Sequence, residues 1–381
     1  MANSGLSALI PSAYKALDVV SRELVGFVPA VTLDADVARA AVGQDVISFT
    51  APASSATDIT PGVVPPNDGD QTLGNTRISI TKARRVPFRW NGEEERGLNN
   101  NGAGAEAIKN NQIAQAIRTL VNEMESDVYL AARVAASRAV GVVGTTPFAT
   151  NLGDSAQVRK ILDDNGAPQS GRSLIIDTTA GANMRTQSQL TKANEAGTQM
   201  TLRDGELLNL HGFSVKESAA IVPVVKGTGA GYVVSSGGGY AAGTTDLTVG
   251  TGTGTILAGD VIVFAGDTTK YVVAAALSGG VVKIAAPGLR FTVANNAAIT
   301  VLGNFTANVA FSKSAVVLAA RQPALPKDGD LARDRATIVD PRSGMAFEIA
   351  MYPQYRQMQY EISIAWGVKG IKGEHIAILF G

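Results

Sequence analysis

The sequence predicts a mixed α+β protein in which extensive sheet is organised around one long helix. Three observations carry that expectation. Between Gly104 and Arg138, the residues Ile113, Ile117, Leu120, Val121, Met124, Val128, Ala132 and Ala135 recur at steps of three, four and seven, one face of a helix. Most of the remaining chain reads as short apolar runs set between turns, in a sequence that holds 41 glycines in all. From Lys226 the composition then shifts: residues 227–304 gain Gly and Thr, lose charge and show no helical period.

The helical stretch comes first in importance. No proline interrupts it, and its end is rich in alanine, the best helix former. Some 35 residues at 1.5 Å each give a rod of roughly 50 Å, against a typical helix of about 11–12 residues. It is expected to be the spine of a domain. Asn122, Glu123, Glu125, Asp127 and Arg133 fall mostly on its other faces.

Composition bounds the rest. A chain of 381 residues suggests two or three domains, or one domain with insertions. Lys+Arg and Asp+Glu both number 33, so there is no basic excess of the kind that phosphate binding requires. Cysteine is absent and histidine occurs twice, which removes disulfides, thiol chemistry and histidine-rich metal sites. The first residues lack the charge and apolar run of a signal peptide, and no apolar run is long enough to cross a bilayer. Folding in a cytoplasm and no membrane partner are expected.

Taken in order, residues 7–28 read as an amphipathic helix bracketed by Pro11 and Pro29, with Tyr14, Leu17, Val20, Leu24 and Phe27 on one face. It is either an arm that docks elsewhere or a helix packed on its own domain. Residues 45–91 read as strand, long loop, strand. The loop, 53–75, is polar and rich in Pro and Gly, and a loop of that length is usually functional. The returning strand, 76–90, interleaves Lys82, Arg84, Arg85 and Arg89 with Phe88 and Trp90, and Glu93, Glu94 and Glu95 follow. This predicts a projecting hairpin whose charges meet neighbouring subunits. Basic residues among aromatics also suit single-stranded nucleic acid, but the acidic run argues against that partner; a solvated hairpin face is the third reading.

After the long helix, Asp154 is expected to cap a short helix closed by Gly166. Residues 173–179 read as a buried strand, then a helical segment to about Ala193, then strand and turn over 202–218. Within 227–304, apolar runs recur about every ten residues, the spacing of a small β-barrel or sandwich inserted into a second domain. Two strand–turn–strand units follow, one turning at Asp340–Gly344 and one near Lys369–Gly373.

No catalytic pattern emerges. The glycine runs 227–231 and 250–255 open no helix and lack the Gly-Lys-Ser/Thr of a phosphate loop. His211, in a turn without a serine or cysteine nucleophile pattern nearby, and His375, at the start of a strand, read as structural. Asp163, Asp164, Asp328 and Asp330 lack a second cluster that would complete a metal site. No enzyme activity, cofactor or metal is expected.

The order of elements, together with AGDVIVFAG (258–266), GFSVKESAAIVP (212–223) and the closing IVDPRSGMAFEIAMY and ISIAWGVKGIKGEHIAIL, resembles the major capsid proteins of tailed bacteriophages. Among these HK97-type folds it is most similar to the P22-like coat protein family. The resemblance implies an N-terminal arm (1–33), an E-loop (34–100) and a P-domain (101–177) with spine helix 104–138. It further implies an A-domain in two parts (178–225 and 305–333), an inserted β-domain (226–304) and terminal P-domain strands (334–381). It implies hexamers and pentamers closing into an icosahedral head around double-stranded DNA, met by weak non-specific contact. A scaffolding protein and a portal would be partners, with assembly in the host cytoplasm and the virion as destination. Intersubunit contacts are then expected of Lys82, Arg84, Arg85, Arg89, Glu93, Glu94 and Glu95 on the hairpin. On the arm, Asp18 and Arg22, four apart, could pair with each other, while Asp18 could meet a basic scaffold. An encapsulin-like compartment, and less closely a β-rich surface adhesin, are the alternatives.

Overall fold

The computed structural model describes residues 9–21, 25–50, 56–59, 61–64, 74–100, 105–191, 209–340 and 344–381. Helix α1 (Ile10–Ser21) leads through a 3-10 turn (Val28–Ala30) into strand β1 (Thr32–Ala40). Strands β2 (Asp45–Thr50) and β3 (Gly74–Ser79) precede β4 (Lys82–Asn91) and α2 (Gly92–Asn100). The spine is α3 (Ala105–Ala135), 31 residues long. Next come β5 (Arg138–Val140), α4 (Gly153–Asp164), β6 (Arg172–Ile176), α5 (Thr178–Thr186), α6 (Ser188–Thr191), β7 (Ser214–Glu217) and β8 (Pro223–Val224). Strands β9 (Val233–Val234), β10 (Asp246–Gly250), β11 (Val261–Phe264), β12 (Lys270–Ser278), β13 (Val281–Ile284) and β14 (Ile299–Val301) follow. The last are β15 (Phe305–Ser312), β16 (Val316–Pro323), β17 (Asp334–Val339), β18 (Ala346–Gln354), β19 (Gln357–Gly370) and β20 (Ile376–Phe380).

The architecture is mixed α+β with few helices and extensive sheet. One sheet runs β1-β16-β19-β18-β17, with β4 also paired to β19. The larger sheet runs β7-β6-β15-β20-β5-β12-β13-β10-β9, with β8 on β15 and with β11 and β14 joined through β12. Helix α3 lies chiefly against β19, and touches β4, β15, β16 and β20. Its apolar face, Ile113, Ile117, Leu120, Met124, Val128 and Ala132, is buried with Phe311, Phe347, Ile364, Trp366 and Ile376 in the main core. Each large side chain so buried contributes roughly 1.5–3 kcal/mol, so tertiary packing holds this helix more than propensity does.

Several sequence expectations are corrected. Pro11 lies inside the first turn of α1, where a missing N–H costs little. Tyr14 is exposed, while Leu17 and Phe27 are buried as expected; Ala13 and Ala16 are small enough for α1 to lie close on α3, and the side chain of Val20 and the whole of Leu24 lie outside the described residues. Asp154 is not the cap of α4: the N-cap is Leu152, and the Asp154 carboxylate accepts from Phe148 N–H at 2.8 Å. Residues 360–380 are not one strand–turn–strand unit, because β19 and β20 belong to different sheets. The tight turn is instead Tyr355–Arg356, joining β18 to β19, with Arg356 at φ 55°.

The run 76–90 also divides. Up to Ile80 the chain follows the hairpin: Ile80 N–H donates to Gln44 O at 2.8 Å, and Gly43 N–H donates to Ile80 O. From Thr81, whose N–H donates to Trp366 O, it belongs to β19. Gly367 permits the crossing, since a Cβ there would lie 2.0 Å from Ser79 O. Lys82, Arg84, Arg85 and Arg89 therefore stand on a body strand beyond the hairpin.

Residues 232–301 close around a core of their own, including Tyr232, Leu247, Val249, Ile262, Phe264, Tyr271, Val273, Val282 and Ile299. Entry and exit are tied: Val224 pairs Phe305, and Lys226 N–H donates to Asn304 Oδ1. The unit is also stitched to the body where β12 pairs β5.

Candidate functional site

Two faces of α3 carry charges with work inside the chain. Toward β4, Lys82 Nζ donates to Asp127 Oδ1 at 2.8 Å and Glu123 Oε1 at 3.0 Å, and Arg84 Nε donates to Glu123 at 3.1 Å. The second Asp127 oxygen accepts from buried Trp366 Nε1 at 2.8 Å. Burial opposes the charge on Glu123 and on Lys82, yet the ion pairs outweigh it: the Glu123 carboxyl lies below its ordinary value and the Lys82 ammonium above.

The opposite side holds Glu125, which sequence periodicity placed outward and which is 4% exposed. Its carboxylate accepts from Gly26 N–H and Phe27 N–H at 2.7 Å, Val28 N–H at 2.9 Å and Ser218 Oγ–H at 2.7 Å. Three main-chain donors and a hydroxyl satisfy the buried carboxylate. Gly26 is required here, because a Cβ would lie 2.7 Å from Glu217 O and 2.8 Å from Ile175 Cγ2. The approach of the N-terminal segment to the spine is pinned at that point.

The predicted contact residues fall as follows. Lys82 and Arg84 pair with α3, and Arg85 donates to Glu361 at 2.6 Å across β19. Glu94 forms a capping box with Asn91, each side chain accepting from the other's N–H, so the acidic run opens α2, where its charge suits the helix dipole. Glu95 pairs with Lys109. Arg89 and Glu93 are exposed and form no ion pair among the described residues. Asp18's side chain and the whole of Arg22 lie outside the described residues.

The aromatics of β4 are turned inward. Trp90 is buried and donates to Gln112 at 2.6 Å, Phe88 stacks on Tyr360, and Lys109 lies over the Trp90 and Tyr360 rings. They offer no platform for bases. His211 does meet a serine: Ser155 Oγ, 2.8 Å from Nδ1, also donates to Leu152 O. Ser155 is fully buried, so its hydroxyl ties the start of α4 to the 211 turn. His375 is buried and burial lowers its pKa. Among the described residues no three His, Cys, Asp or Glu converge to hold a metal, and no helix is long and apolar enough to cross a membrane.

What projects is the β2–β3 hairpin. It is a two-stranded sheet by itself, rooted where Ile78 and Ile80 bury against Ala40, Val317, Ala319 and Ala365. Beyond the root, Ile59, Val63 and Val64 are 97%, 104% and 76% exposed.

No protein-family model matches the chain, and no curated protein does. Among solved structures, 92% of the chain is similar to 86% of a chain in the capsid of the cyanophage P-SCSP1u, at 12% identity and a TM-score of 0.48. A chain from Mycobacterium phage Che8 is similar at 13% identity, over 88% of this chain and 84% of that one, with a TM-score of 0.45. A virus-like particle from Pyrococcus furiosus is similar at 9% identity over 98% of both chains, with a TM-score of 0.43.

Proposed function

We propose that the chain is a major capsid protein of the HK97-type fold, in its P22-like branch, and that its copies close into an icosahedral phage head around double-stranded DNA. One observation carries the reading: beyond a two-stranded hairpin rooted on a well-cored body, Ile59, Val63 and Val64 stand exposed, with nothing among the described residues covering them. Uncovered apolar surface of that kind marks a contact with another molecule. The capsid-family resemblance of the closing strands and of 258–266 supports a second copy as that molecule. In this reading α1 and the 3-10 turn form the N-terminal arm, the hairpin is the E-loop, α3 is the spine of the P-domain, and 226–304 is the inserted β-domain of a split A-domain.

Hexamers and pentamers demand many moderate contacts. Lys82, Arg84 and Arg85, already neutralised within the chain, set the rigid base of the hairpin, and Arg89 and Glu93 remain outward for pairing with a neighbour. Zero net charge suits a shell that touches DNA weakly. A scaffolding protein and a portal are proposed as further partners, with assembly in the host cytoplasm. Electron microscopy of the purified chain, alone and with its scaffold, tests this. Closed shells are expected; monodisperse monomers under every assembly condition would refute it.

A further inference from the structure

Strand β5 is where the inserted unit joins the body. Arg138 pairs with Ala377 of β20 on one side and with Tyr271 of β12 on the other. The ladder to β12 is short, with Lys270 opposite Ala139 and Tyr271 opposite Arg138. Arg138 thus stands in the seam, and it is only 6% exposed. Its Nη2 donates to Asn165 Oδ1 at 3.0 Å, while Nε and Nη1 are buried with no acceptor among the described residues.

The carboxylates in electrostatic reach are engaged elsewhere. Asp164 holds Arg290 at 2.6 Å and Lys160 at 3.5 Å. Asp267 accepts from the Tyr271 hydroxyl at 2.6 Å and from Thr269 N–H at 2.8 Å. Burial, and then the charge of Arg290, push the Arg138 pKa down against the pull of Tyr271, Asp164 and Asp267. A buried lysine or histidine relieves such a position by losing its proton, but a guanidinium starts so high that it stays charged. A buried cation without a counter-charge is strongly unfavourable, and donors without acceptors add to that cost. We infer that the seam binds a small monovalent inorganic anion, of the size of chloride, on Nε and Nη1 of Arg138. Enclosure keeps out the carboxylate of a second macromolecule and admits a single ion. The ion supplies the acceptor and the counter-charge together, so the seating of the inserted unit on the body depends on it. This goes beyond the self-assembly reading and stands or falls without it.

The test uses the purified monomer, melted in sodium chloride from about 1 to about 200 mM. Gluconate, too large for an enclosed site, holds the ionic strength constant. The parent's melt should rise by about 3 °C along a saturating curve. Arg138→Met, which fills the space without the charge, should not respond. Lys283→Met, which removes an exposed cation of the same unit, should respond as the parent does. A parent melt that ignores chloride, or an Arg138→Met melt that follows it like the parent's, would overturn the site. If Arg138→Met fails to fold, the chlorine-35 line width of the parent decides. Saturable broadening that bromide displaces is expected; no broadening, or broadening that bromide leaves in place, would overturn the site.

Discussion

The inserted unit and the hairpin arm are both excursions from the same body, and they solve opposite problems. Each leaves through a tied root: Val224 on Phe305 for the first, Ile78 and Ile80 on β16 and β19 for the second. Beyond the root, the inserted unit folds six strands over its own core, with Phe264 edge-on to Tyr271 at 5.6 Å. The arm has two strands and no second layer, and an isolated hairpin is marginal in water. Ile59, Val63 and Val64 stay outside, and nothing among the described residues covers them. The difference teaches where stability resides: the first excursion carries its own, and the second, in the proposed reading, takes it from a neighbouring copy.

The largest expected effect is on the self-sufficient side. Phe264→Ala should destabilise the inserted unit by about 3–5 kcal/mol, seen as an early transition in a thermal melt; an unchanged melt would break the comparison. Next, Glu125→Ala orphans three main-chain donors and a hydroxyl. It should cost about 3 kcal/mol, with Glu125→Gln milder, and hydrogen exchange should rise first at Gly26 to Val28. A rise confined to the inserted unit would show that the N-terminal segment is held by something else.

Acid sharpens the contrast further. Because Glu123 lies below its ordinary value of 4.5, its contribution is fully present above that pH and is lost as pH falls through its own lower value. Amides of β4 should therefore lose protection below pH 4.5 before those of β11 and β12, and Glu123→Gln should remove the step. The smallest effect on stability belongs to the arm. Ile59→Ser with Val63→Ser should leave the monomer within about 0.5 kcal/mol of the parent while shell yield collapses. A large loss of monomer stability would mean the loop packs on its own chain.

Local pattern made the spine legible: residues 104–138 were expected and Ala105–Ala135 is observed, because a core-facing helix writes its period into the sequence. The composition shift at Lys226 likewise marked a unit with its own core. Glu125 was not legible, since its acceptor role depends on donors 93–99 residues away. The division of 76–90 depends on Thr81 meeting Trp366, and the parting of β19 from β20 on which sheet each completes. Strand β1, parallel to β16, and helix α2 were missed as well. For α2 a local signal existed, Asn91 three residues before Glu94, the spacing of a capping box. The internal use of Lys82 and Arg84 follows from the position of β4 beside α3, and that of Arg85 from the pairing of β4 with β19, neither of which alternation alone could supply.

The most direct measurement replaces residues 51–73 by a two-residue Asn-Gly turn, which suits the β2–β3 hairpin. The parent and shortened chains are then compared by thermal melt and by electron microscopy under the same assembly conditions. The account predicts the same melt for both, closed shells from the parent, and folded monomers from the shortened chain. Shells that close normally without the loop would contradict it.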